Sequence, residues 1–180
     1  MKTMANERAV SRRRGANKRA DSVSVGYRDL IYARTNRFQG GGPMGWQMEY
    51  LAHERTVVVK TSGSQDMAMA REMVIEAADL AARFGAKRFL KDDSDSVLEL
   101  TTVEIYGLPR LLLEGGIPRD SRIAVIMNAA SSQAADFQFF KNRMYNEGMP
   151  HVRIFAGSRQ QALDWLTQPA PVKTGSLLPP

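Results

Sequence analysis

From Met48 to Leu166, short apolar or β-branched runs take turns with amphipathic stripes, and this alternation restricts the chain to an α/β architecture. Met48–Ala52 and Arg55–Thr61 read as two strands joined by a His53-Glu54 turn, with Val57 and Val59 on one face. Met67, Ala70, Val74, Ala78 and Ala81 then recur at helical steps, opened by Ser64 as cap and Asp66 in the first turn, and closed by Arg83 and Gly85. Lys87–Lys91 is a short strand that leads into an acidic loop, Asp92-Asp93-Ser94-Asp95-Ser96. Thr101 and Glu104 have capping-box spacing, so a helix should follow through Ile105, Leu108, Leu111 and Leu112, kinked or split at Pro109. Arg122–Asn128 is continuously apolar at its centre, as expected of a strand buried on both faces. Ser131 or Ser132 should cap a helix with Phe137, Phe140, Met144 and, at its margin, Tyr145 inward, and Gly148-Met149-Pro150 should stop it. Val152–Phe155 is the last strand, and Ser158 with Gln161 should form another capping box, opening a short helix that carries Leu163, Trp165 and Leu166. The expected fold is a mostly parallel sheet of about five strands with an antiparallel edge hairpin and about four helices.

The ends differ from this middle. Residues 1–46 hold ten Lys and Arg against three Asp and Glu, whereas residues 47–180 hold fifteen against sixteen. The formal charge of +6 is therefore local to the leading segment, and the domain itself is nearly neutral. Apart from a short candidate strand or helix at Tyr27–Ala33, that segment lacks apolar periodicity and should be disordered, ending in the hinge Gly40-Gly41-Gly42-Pro43. Met44 and Met48 stand where the domain begins, and either could serve as a translation start. Three segments follow: a disordered basic tail over 1–46, an α/β domain over 47–167 and a flexible Pro-rich tail over 168–180. No apolar run approaches the roughly 20 residues of a membrane helix, and no signal-peptide order is present. Cysteine is absent, which excludes disulfides and thiolate metal sites and makes a cytoplasmic location the default expectation.

Three stretches resemble the STAS domain, in the broad bacterial group that is anti-sigma-factor-antagonist-like or STAS/Sec14-like. They are Thr102-Val103-Glu104-Ile105-Tyr106-Gly107-Leu108-Pro109, the strand Arg122-Ile123-Ala124-Val125-Ile126, and a third. That third runs from Asp136-Phe137-Gln138-Phe139-Phe140 through Asn146-Glu147-Gly148 to Val152-Arg153-Ile154-Phe155 and Ala162-Leu163-Asp164-Trp165-Leu166. The resemblance implies a sheet with helices packed on it, used for contact with another protein and in some members switched by phosphorylation. In antagonists the phosphorylated Ser stands at a helix start; here that region holds Asp92, Asp93, Ser94, Ser96, Thr101 and Thr102, without the compact Asp-Ser-x-Gly-Leu signature.

Candidate chemistry is sparse. The Asp92, Asp93, Asp95 cluster has neither the glycine nor the bidentate Glu of a calcium loop, and a solvated loop explains it. Ser96 and Thr101 are the candidate phosphorylation or switch positions, although capping alone accounts for Thr101. His53 and His151 have no nucleophile or metal partner in pattern, Ser131-Ser132 lacks a nucleophile elbow, and no glycine-rich loop joins a strand to a helix. Phe139, on a different face from Phe137 and Phe140, and Tyr145 form a candidate interface or ligand patch. Arg12, Arg13, Arg14, Lys18 and Arg19 are where nucleic acid could associate, without aromatics between them. The leading expectation is a non-enzymatic regulatory module that binds another protein, a second copy of the chain included, with no catalytic residue, metal or cofactor. The alternative is a domain that binds a small apolar ligand or lipid between sheet and helices.

Overall fold

The computed structural model describes residues 31–38, 45–130 and 132–169, the first stretch by its backbone alone. One six-stranded sheet holds strands in chain order: β1 (Ile31–Phe38), β2 (Gly45–Leu51), β3 (Thr56–Gln65), β4 (Arg88–Leu98), β5 (Arg122–Met127) and β6 (Val152–Ala156). The first two pairings are antiparallel and the other three parallel. Helices α1 (Met67–Phe84), α2 (Thr102–Glu114) and α3 (Ala134–Asn146) make the parallel crossovers, and α4 (Arg159–Thr167) follows the last strand. Because each new strand adds on the same side, crossovers of one hand must place all three helices on one face. Their side chains share a single core with Val57, Val59, Phe89, Ile123 and Val125. The opposite face, with Val58, Leu90, Ala124 and Ile126, packs on Ala162 and Leu166 of α4. The expectation that β5 is buried on both faces holds for this reason.

Several local expectations meet a different outcome. β1 and the start of β2 lie inside the segment predicted to be disordered. Apolar periodicity is a poor guide there, since an exposed strand edge offers backbone donors and acceptors to any extended segment. Trp46 also falls in that segment, yet it is 1% exposed and its indole N–H donates to Glu76 Oε2 at 2.9 Å. Asp66, not Ser64, caps α1, accepting from the Met69 N–H at 2.8 Å, because β3 continues through Ser64 to Gln65. α3 begins after Gln133, which makes no side-chain cap bond; Ser132 precedes it in a turn. Pro109 does not split α2, which runs as one helix with the ring buried. Only the Ile105 carbonyl, four residues back, loses its helical donor. The capping box of Thr101 and Glu104 forms as expected, whereas at α4 only the Ser158 half of the box forms, accepting from the Gln161 N–H. The glycine hinge, the basic cluster at 12–19, Ser131 and the tail beyond 169 lie outside the described residues.

Candidate functional site

The largest correction concerns the acidic loop. Residues 92–96 are not a loop but the second half of β4, and Asp92 and Asp93 are 7% and 3% exposed. Phe89, Lys91 and Asp93 alternate onto the helix-covered face, as Val57, Val59, Thr61 and Gln65 do on β3. Between Lys60↔Asp92 and Ser62↔Asp95 the ladder shifts, so that Asp93 and Ser94 oppose the single residue Thr61. This bulge moves the phase of β4 by one residue. Asp95 swings out to pair with Lys60 at 2.8 Å, and Ser96 turns in to meet Thr61.

The result is a compact polar cluster. The Thr61 hydroxyl lies 2.5 Å from Asp93 Oδ1 and 3.1 Å from the Asp92 carbonyl. Gln65 Nε2 donates to Asp93 Oδ1 at 2.9 Å, and lies 2.5 Å from the Ser96 hydroxyl. Lys91 Nζ donates to Gln65 Oε1 at 2.8 Å and to Asp93 Oδ1. Burial of a carboxylate demands such partners, since an unpaired one would be costly. On the outer face the Asp92 carboxylate takes the Ser94 hydroxyl at 2.6 Å.

Directly beside this cluster lies a cavity of about 120 Å³ between the sheet and the three helices. Its walls are apolar, among them Val59, Met73, Val125, Leu108, Leu112 and Phe137; Gln65, Lys91, Asp93 and Asp136 also border it, but they present almost no polar surface to it. β5 ends at Met127 opposite Asp93, so β4 beyond that point has no β5 partner. Gln133 covers the gap: its amide oxygen accepts from the Leu98 N–H at 3.1 Å and its NH₂ donates to the Leu98 carbonyl at 2.7 Å. The cavity lining runs from Phe89 to Leu98 along β4 and takes in Val59 and Gln65 of β3 and Ile123 and Val125 of β5, so it lies beneath the helices along the parallel strands.

The residues singled out from sequence are dispersed. Ser96 is tied into the polar cluster on β4, whereas Thr101 is exposed and occupied as the cap of α2. Phe139 is half-buried and Tyr145 is 68% exposed; six residues apart on α3, they point about 120° from one another. Phe137 and Phe140, read as core residues, line the cavity. His53 and His151 are both exposed. Among the described residues there is no cluster of metal-ligating side chains, and no helix is long and apolar enough to cross a membrane. Thr61, Gln65 and Lys91 escaped the sequence reading. Continuing the period of two past Val59 and Phe89 would have placed them on the inner face.

Fold and site together define a class: an α/β domain with a sheet covered on both faces and a small apolar cavity beside a buried polar cluster. In fold the chain is similar to solved structures of the anti-sigma factor antagonist SpoIIAA. For the unphosphorylated form the identity is 13%, the match covers 67% of this chain and 94% of that one, and the TM-score is 0.42. For the Bacillus cell fate determinant SpoIIAA in its phosphorylated form the values are 16%, 67%, 97% and 0.38. No family model matches this chain, and no curated protein matches it significantly.

Proposed function

We propose that this domain is a non-enzymatic binding module that holds a small, largely apolar molecule between its sheet and helices. The cavity carries the reading: its walls are apolar, its volume is about 120 Å³, and it lies beside a buried polar cluster. For scale, an apolar engineered cavity of about 150 Å³ takes up benzene. The polar side chains beside it bond to one another, a positioning arrangement rather than a nucleophile held beside a base. Toluene titrated into isotope-labelled protein should give saturable NMR shifts concentrated at Val59, Val125 and Phe137. Shifts that never saturate, or that scatter over the surface, would sink the reading.

A second reading, contact with a partner protein, is favoured by apolar exposure on α2. Val103 is 80% and Tyr106 55% exposed, one helical turn apart on the same face. The Arg143 guanidinium of α3 stacks over the Tyr106 ring at 3.7 Å, so Tyr106 is held where α2 meets α3. A specific partner should be captured by the wild type and lost with Val103→Glu. Equal capture by both proteins speaks against this face.

A further inference from the structure

Building on that reading of the cavity, we propose that its ligand is wholly apolar, a hydrocarbon body of about one ring that enters with no hydrogen-bonding group of its own.

The buried polar cluster sets this specificity by closing on itself. Gln65, Lys91 and Asp93 border the cavity alongside Val59 and Phe89, yet their polar atoms are engaged with one another. The Gln65 amide is used at both ends: Oε1 accepts from the Lys91 ammonium at 2.8 Å, and Nε2 donates to Asp93 Oδ1 at 2.9 Å. The same carboxylate oxygen takes the Thr61 hydroxyl at 2.5 Å and the Lys91 ammonium as well. What these residues and Asp136 turn toward the cavity is almost entirely carbon. The remaining walls are hydrocarbon too, with Val59, Ile123 and Val125 from the sheet and Met73, Leu112 and Phe137 from the helices.

Such a space suits water no better than it suits a polar ligand. A buried water needs roughly two to four polar partners, and this lining offers almost none. A hydroxyl, amino or carboxylate group brought inside would give up its bonds to solvent and find no replacement. A methyl group in the same position gives up nothing and gains from burial. The lining therefore selects against any molecule that enters head first, a fatty acid or an alcohol with its head inward included. Its volume of about 120 Å³ sets the size of the hydrocarbon that remains.

The test compares three probes of nearly equal size by NMR titration of the full chain: toluene, phenol and aniline. They differ only in a methyl, a hydroxyl or an amino group on one ring. Toluene should bind about tenfold or more tightly than either of the others, the discrimination expected when a buried polar group lacks a partner. The shifts it causes should centre on Val59, Val125 and Phe137. If phenol or aniline binds at those residues as tightly as toluene, the cavity supplies a polar partner; the proposal is then overturned while the cavity reading stands. If none of the three binds saturably, the cavity reading itself falls and the proposal with it.

Discussion

At the scale of single residues, Lys91 and Asp93 show how position converts ordinary side chains into a site. Their two-residue spacing is that of one strand face, and burial makes the pair interdependent: the side chains are 30% and 3% exposed. Lys91→Met would keep the aliphatic stem but leave the carboxylate without its counter-ion, and should cost about 3 kcal/mol in urea unfolding. A loss under 1 kcal/mol would mean that the hydroxyl and amide donors suffice alone. Glu104 gives a pH signature of a different kind. The Thr101 backbone N–H, and then its hydroxyl, hold this carboxyl below its ordinary value of 4.5. A lowered folded-state value means stabilisation that is present above about 4.5 and lost as pH falls through the folded-state value. Wild type should therefore exceed Glu104→Gln in stability near neutrality, and the difference should shrink on acidification below about 4.5. A difference that stays constant across that range would contradict the cap as its source.

At the scale of elements, packing decides what pattern only suggests. α1 and α2 approach so closely at Gly115 that a Cβ there would overlap Val74 Cγ1, with the Leu111 carbonyl oxygen at 3.1 Å. The backbone at Gly115 is right-handed helical, φ −75°, so conformation is no obstacle and only space is. Val74 is β-branched and cannot swing away cheaply. Gly115→Ala should thus destabilise by about 1–3 kcal/mol, and by distinctly less in a Val74→Ala background. Equal costs in the two backgrounds would show that the contact is not limiting. The helix stripes themselves were legible: Met67, Ala70, Val74, Ala78 and Ala81 mark α1, and Phe137, Phe140 and Met144 mark α3. The β4 boundary was not, because Asp and Ser disfavour strands and signal turns by local preference. Pairing along the whole of β3, with a bulge taking up the extra residue of β4, overrode that preference.

At the scale of the whole molecule, the core begins earlier than composition indicates. A chain starting at Met44 retains Trp46, while one starting at Met48 loses that buried ring and its bond to Glu76. The shorter chain should be less stable than the longer by about 3–5 kcal/mol, as for removal of a large core aromatic. Indistinguishable urea midpoints would show that Trp46 adds little to the sheet.

By itself the sequence determined the order of strands and helices from β2 onward, the inward faces of most of them, and the two-sided burial of β5. All of these follow from periodicity and short-range capping chemistry, which a chain carries wherever it folds. The tertiary structure alone decided the edge pairing of β1, the strand identity of residues 92–96 and the gathering of Thr61, Gln65, Lys91 and Asp93 beside one cavity. These depend on contacts between residues about thirty positions apart. Register across a sheet and the space between layers are properties of neighbours in three dimensions, and no local pattern encodes them.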